Sequence, residues 1–238
     1  MIAKASLPMY DWPEIRAATD EFWREFSEHA GISGALLHGE QHDHLWRDPA
    51  MVFSQTCGYP FTHEFSGQLK YIATPHYDCE GCVGAEYSSF VFARNGHFKI
   101  SVPAINSMDS MSGMLALKLV LQNLGAPLIT GSHVASLKAV QSGLADVCAV
   151  DAVVVELARL HRPYLLEGLV QIGQSPLVPG LPFVTRAGDV SILREALRKT
   201  FADPALAKAR ELMRLTGYSI LSAEAYDVIP QLERAITS

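Results

Sequence analysis

No stretch of the sequence approaches the ~20 consecutive apolar residues that a membrane-spanning helix needs, although hydrophobic residues make up 49% of the chain. The apolar content is expected to fill a packed core, without membrane insertion. Basic runs are missing as well: 19 Lys and Arg stand against 25 Asp and Glu, for a formal net charge of −6. A nucleic-acid partner, whose phosphates require a Lys/Arg patch, is not expected. Cysteine is scarce, with Cys57, Cys79, Cys82 and Cys148 the 4 in 238 residues. So few thiols do not form the disulfide framework of a small secreted domain. There is no G-x-G-x-x-G, Walker loop, G-x-S-x-G elbow or H-E-x-x-H, and no carboxylate pair that stands out as acid and base; neither a cofactor nor a metal is expected. The N-terminus, "MIAKASLPMYDW", has no basic segment followed by ~7–15 apolar residues. On that ground the protein is expected to be cytoplasmic as written, and periplasmic if the chain has been trimmed.

What is present is an alternation of strand-like and helix-like segments, which points to an α/β fold with mostly parallel sheets. "IAKASLP" reads as a strand, and "DWPEIRAATDEFWREFSEHAG" as a helix in which Asp11 and Glu14 form a capping pair. "GALLHGE", "AMVFSQTCGYP", "QLKYIATPHY", "EYSSFVFARN" and "HFKISVPAIN" read as further strands, with a short helix or turn at "QHDHLWRDP". Helices are expected over 112–124 and 133–142, then a buried strand "ADVCAVD", a helix "AVVVELARLH" and a strand "LVQIGQS". From Asp189 onward the chain reads as helical. Two stretches look like crossings between lobes: the Gly/Tyr-rich segment near 78–90 and the Pro-rich "SPLVPGLP". They divide the chain into a discontinuous first lobe, 1–85 with 177–238, and a second lobe, 86–176, with a cleft between them where a small molecule is best held.

Four polar clusters fall where strands hand over to helices. Tyr10 and Asp11 end the first strand. Gln55 and Thr56 end "AMVFSQT", and Tyr59 follows after a glycine. The stretch "INSMDSMSGM" packs Asn106, Ser107, Asp109, Ser110, Ser112 and Gly113 into eight positions. One Ser or Asp suffices to cap a helix. The surplus hydroxyls, the glycine and the positive end of the helix make a wall suited to an oxyanion. In "TGSHVASL", Ser132 is a natural N-cap and His133 stands at a helix start; Asp151 sits between the buried strand and the next helix. "CEGC" at 79–82 has redox or metal-pair spacing, but no second cysteine pair follows and a structural turn is the preferred reading. "HGEQHDH" is read as a solvated connection.

The ordered segments "LPMYD", "SQTCGYP", "TPHYDCEGCVGAEYSSFVFAR", "NSMDSMSGM", "GSHVASLKAVQSGLADVCAVDAV" and "PGLPFVT" resemble the phosphate/phosphonate-type solute-binding proteins of ABC transporters. The resemblance covers nearly the whole chain. It implies a type II periplasmic-binding-protein fold, with two α/β lobes joined by two crossing strands and closing over a ligand. It maps the oxyanion-holding helix start onto Ser110, Ser112 and Gly113, and an aromatic contact onto Tyr10. Polar contacts fall on Gln55, Thr56, His133 and Asp151, with Tyr87 and Ser88 on the first crossing strand as further contacts. The reading that follows is a binding protein for a small oxyanion such as phosphonate, phosphate or phosphite, with an ABC permease or a sensor protein as partner. The alternative is a cytoplasmic enzyme on the same fold, similar to those of menaquinone biosynthesis, acting on a small carboxylate.

Overall fold

The computed structural model describes residues 3–39, 42–96, 100–222 and 224–237. In chain order they form β1 (Lys4–Ser6), α1 (Arg16–Ala30), α2 (His42–Arg47), β2 (Met51–Gln55), α3 (Gly58–Thr62), β3 (Lys70–Tyr77), β4 (Cys82–Val83), β5 (Glu86–Tyr87), β6 (Ser89–Arg94) and β7 (Pro103–Ile105). A π-turn, Met111–Leu115, leads into α4 (Ala116–Val120). Then come β8 (Leu128–Ile129), α5 (His133–Ser142), β9 (Val147–Asp151), α6 (Ala152–His161), β10 (Leu169–Gln174), β11 (Val178–Pro179), β12 (Phe183–Thr185), α7 (Val190–Ala202), α8 (Ala207–Leu212), β13 (Leu215–Ser219) and α9 (Val228–Thr237).

Two mixed five-stranded sheets organise these elements. The first has the order β1-β2-β12-β3-β13, the second β10-β6-β9-β7-β8. The first draws on both ends of the chain and the second on its middle. A small sheet, β11-β5-β4, carries the two passages between them, and the passages pair directly: Tyr87 faces Val178 and Glu86 faces Pro179. Parallel pairing is confined to β1–β2, β7–β8 and β7–β9. The parallel share is therefore smaller than expected, because the long strands β3 and β6 take antiparallel neighbours on both sides.

Aromatic packing fixes the first sheet to its helices. Phe26 and Phe53 lie 4.3 Å apart by ring centroids, and Phe53 and Phe183 5.2 Å. Trp23 stacks on Phe53, so α1 is held against β2 and β12 by rings at helical spacing on one side and strand spacing on the other. The second sheet is covered by α5, α6 and α4, through apolar residues such as Leu137, Val153 and Leu117 that are wholly buried.

Several local expectations are corrected. Asp11 and Glu14 do not cap α1, which begins only after a 3-10 turn, Pro13–Ile15. Charged partners hold both carboxylates instead: Asp11 accepts from Arg16 (2.9 and 3.0 Å) and bonds His38 (2.7 Å), while Glu14 accepts from Arg162 (2.6 and 3.0 Å). The segment "GALLHG" is not a strand: of its amides, only Leu37 N–H reaches β1, at the Ala5 carbonyl (2.8 Å). Gly34 (φ +130°) and Gly39 (φ +68°) bend it away. The rest of "GALLHGE", Glu40, lies outside the described residues. "EYSSFVFARN" is broken at Ser88, which is neither in β5 nor in β6. "HFKISVPAIN" keeps only Pro103–Ile105 as strand, and its His97, Phe98 and Lys99 lie outside the described residues. The helix expected over 112–124 ends at Val120, where Leu121 turns extended. The helical reading of "PALAKARELMRLTG" holds only to Leu212: Arg214 adopts a left-handed φ of 57°, and the chain then becomes β13 along the edge of β3.

Removing the ring at the centre of the first core tests this packing. Phe53→Ala should lower the free energy of unfolding by about 3–5 kcal/mol, read as a shift of the urea midpoint at unchanged slope.

Candidate functional site

Between the two sheets lies a cavity of about 240 Å³. Its walls are helix starts. Ser110 caps the π-turn and the α4 segment that continues it, its hydroxyl accepting from Gly113 N–H at 2.9 Å. Ser132 caps α5, accepting from Ala135 N–H at 3.1 Å. Asp151, the last residue of β9, caps α6, accepting from Val153 N–H at 2.8 Å and more distantly from Val154 N–H. All three cap residues line the cavity. Each is short and polar because the first amides of a helix need an acceptor from outside the helix.

Across the cleft, the chain leaving β1 makes a 3-10 turn, Pro8–Tyr10, which aims the Tyr10 hydroxyl at the Asp151 carboxylate, a bond of 3.0 Å. Tyr10 also packs edge-on against Tyr77, with centroids 5.2 Å apart. Burial raises the Asp151 carboxyl to about 6, against the lowering effect of the Tyr10 bond and the two amides. Burial lowers the His133 imidazole to about 4, so the ring is neutral at pH 7. Its Nε2 lies 2.9 Å from the Ser112 hydroxyl. The lining includes Asp43, Asp109 and Asp151 but, among the described residues, no Lys or Arg.

The structure thus brings Tyr10, Ser110, Ser112, His133 and Asp151 into one cavity. The other expected contacts do not line it. Gln55 is buried in the first sheet and donates to Tyr77 Oη (3.1 Å) and the Leu181 carbonyl (3.0 Å). Thr56 is buried and tied to the chain leaving β11 through its amide and the Pro182 carbonyl (3.2 Å). Tyr59 turns away, stacking on His63 and donating to Glu233 of α9. Tyr87 is buried outside the lining, its hydroxyl without a hydrogen-bond partner among the described residues. Ser88 donates to the Gly81 carbonyl (2.9 Å) and accepts from Gln174 (2.8 Å), which makes it part of the crossing. Gly113 does not open the backbone to a ligand. A Cβ there would lie 1.9 Å from Asn106 Oδ1, so the space is filled by the Asn106 carboxamide.

Among the lining residues that the sequence reading did not assign a contact are Asn106 and Cys57. Asn106 lies within the stretch that stood out, but its role depends on the contact with Gly113. Cys57 lies just before α3, and its thiol takes the pull of the backbone amides of Tyr59, Met111 and Ser112, although burial raises it overall. Met111 and Ser112 come from the other sheet's side of the cleft, a relation that spacing does not reveal.

Comparisons with known proteins agree with this architecture. A family model described as "ABC transporter, phosphonate, periplasmic substrate-binding protein" matches residues 102–226, more than half of the chain. A binding protein component of an ABC phosphonate transporter from Pseudomonas aeruginosa is 15% identical, over 99% of this chain and 86% of that one, with a TM-score of 0.78. PhnD1 from Prochlorococcus marinus (MIT 9301), in complex with methylphosphonate, is 14% identical over 99% and 98% of the two chains, with a TM-score of 0.75. A Xanthomonas citri protein bound to ATP is 17% identical over 100% and 98%, with a TM-score of 0.70. No curated protein matches. The fold is that of the type II periplasmic-binding proteins.

Two outcomes follow from the site's geometry. Gly113→Ala should destabilise the chain by roughly 1–3 kcal/mol, because Asn106 must give way in a packed wall; thermal unfolding measures it. The second concerns pH. Asp151 has a folded value raised above its ordinary 3.8, so its contribution is present at low pH and lost as pH rises through about 6. His133, lowered from 6.5 to about 4, contributes stability above 6.5 that is lost as pH falls through 4. The two oppose each other across nearly the same window. Asp151→Asn removes one of them. Its stability relative to the parent should rise by on the order of 2–3 kcal/mol between pH 4 and pH 7, measured by urea unfolding at a series of pH values.

Proposed function

The chain belongs to the ABC-transporter phosphonate periplasmic substrate-binding protein family, and from that premise we propose that it binds a small oxyanion in the cavity between its sheets. The observation that carries the reading is the convergence of three helix starts, each with its cap, on a cavity lined by no Lys or Arg among the described residues. Helix N-termini carry partial positive charge and favour an anion. The proposed contacts are Tyr10, Ser110, Ser112, His133 and Asp151; Gln55, Thr56, Tyr59, Tyr87, Ser88 and Gly113 hold the wall and the crossing in shape. The proposed lobes are 1–85 with 177–238, and 86–176, closing about the paired passages β5 and β11.

The charge of the lining narrows the ligand. Three carboxylates oppose a dianion most strongly, a monoanion less, and a zwitterion of zero net charge least. Asp151 matters most, because with its proton it donates to an oxyanion and without it it repels one. A phosphonate of low net charge is the ligand class proposed, in keeping with the methylphosphonate held by the Prochlorococcus protein.

The family implies a small ligand and an ABC permease as partner, and it is described as periplasmic. Among the described residues no helix is long and apolar enough to cross a membrane. Fractionation of cells that produce the protein distinguishes a periplasmic from a cytoplasmic placement.

Calorimetric titration with methylphosphonate, phosphate, phosphite and a zwitterionic aminoalkylphosphonate tests the ligand class. At 100 times its dissociation constant a true ligand adds about 2.7 kcal/mol, a rise in melting temperature of roughly 5–10 °C for a chain of this size. No heat and no shift with any of the four would sink the reading. With the ligand that binds, Ser110→Ala combined with Ser112→Ala should weaken affinity more than tenfold. The accompanying loss of stability is roughly 1–3 kcal/mol, from the lost cap and the partner left to His133. Parental affinity should fall as pH rises through 6–7, and Asp151→Asn should flatten that dependence.

A further inference from the structure

The "CEGC" segment takes no part in the proposed binding contacts, yet the fold holds it in a particular geometry. Residues 79–82 form a β-turn closed by Cys82 N–H to the Cys79 carbonyl at 3.1 Å, with Gly81 at φ +86°. Such a turn brings its first and last Cα atoms within about 7 Å, a separation that a disulfide spans at about 4.4–6.8 Å. The two Sγ atoms lie 3.3 Å apart, both thiols are free, and both residues are half-buried. Cys148, in contrast, is fully buried in β9.

Contacts on every side anchor the turn. The Gly81 carbonyl accepts from Ser88 N–H (2.8 Å) and Ser88 Oγ (2.9 Å). Arg214 holds Asp78 through its carbonyl and its carboxylate, both at 2.8 Å. Glu80 accepts from Arg159 of α6 at 2.8 Å. A Cβ on Gly81 would sit 2.9 Å from Ala152 Cβ, so the turn lies directly against the start of α6, next to the Asp151 cap that forms one cavity wall. It also leads straight into β4 and β5, the first passage between the sheets.

We infer that Cys79 and Cys82 form a redox site, a dithiol that closes to a disulfide by exchange with a low-molecular-weight or protein disulfide. One protein thiol loses its proton and attacks the incoming disulfide, releasing one thiolate and leaving a mixed disulfide. The second protein thiol loses its proton, attacks the protein-side sulfur of the mixed disulfide and displaces the remaining external thiolate. Two protein thiols are oxidised to one disulfide, one external disulfide is reduced to two thiols, and protons are conserved between them. Because the turn rests on the first residue of α6, its oxidation is felt at the cavity wall.

The test uses the full chain equilibrated with oxidised and reduced glutathione at a series of ratios, trapped with N-ethylmaleimide and mapped by peptide mass spectrometry. The expected product is a Cys79–Cys82 link that dithiothreitol reverses, with Cys57 and Cys148 trapped as free thiols. Cys79→Ser should abolish the internal link, leaving Cys82 free or as a mixed disulfide with glutathione. Maleimide on both Cys79 and Cys82 across all ratios, or a link from either to Cys57, overturns the assignment. Hydrogen exchange of oxidised against reduced protein should differ at residues 151–155, and identical exchange there overturns the connection to the cavity. Neither readout requires a bound ligand, so a failure here is separate from a failure of the binding proposal.

Discussion

The first amides of a helix have no acceptor within that helix, and in this protein the answer to that constraint is gathered in one place. Ser110, Ser132 and Asp151 cap three successive helical segments of the second sheet's half, and all three face the same cavity. The arrangement follows from topology. β7 and β9 run parallel and side by side, so the segments that leave their ends depart on the same edge of the sheet. The polar caps that stability demands therefore become the polar wall of a cleft, and the helix ends lend that wall partial positive charge where no Lys or Arg stands among the described residues.

A buried hydrogen bond, Tyr10 to Asp151, ties the opposite wall across the cleft. Around it lie ion pairs between the two halves, Glu14 with Arg162 and Glu80 with Arg159, both on partly exposed side chains. Pairs of that kind contribute about 0–1 kcal/mol each, so they set the approach of the halves more than they hold them. The buried Tyr10 bond differs, because the Asp151 proton decides what it offers. A carboxyl with a value near 6 can be donor or anion under ordinary conditions, and it sits where a ligand would feel the difference.

Much of this was legible in local sequence. The bounds of α5 and α6, the buried strand β9 and the caps Ser132 and Asp151 stand in the sequence as written, because capping and helical periodicity act over four or five residues. Tyr10, Ser110, Ser112, His133 and Asp151 were recognisable as polar residues at strand-to-helix junctions for the same reason. The errors arose where a distant partner decides. "LTGYS" became strand only because β3 offers it an edge, and Asp11 left its helix for Arg16 and His38. Gly113 is required by Asn106 rather than by a ligand, and Cys57 meets amides fifty residues further along the chain.

The sequence by itself determined the class of the molecule: an α/β chain with a large apolar core, a surplus of acid, and small polar residues at the junctions where helices begin. Local preferences suffice for that, since each is settled within a turn or two of backbone. Tertiary structure alone decided which junctions meet, which of their side chains face the cavity and which are spent on packing, and that two thiols in a four-residue turn come to rest against the helix that forms the cavity wall. Those outcomes depend on contacts between residues far apart in the chain, whose energies exist only once the two sheets have formed.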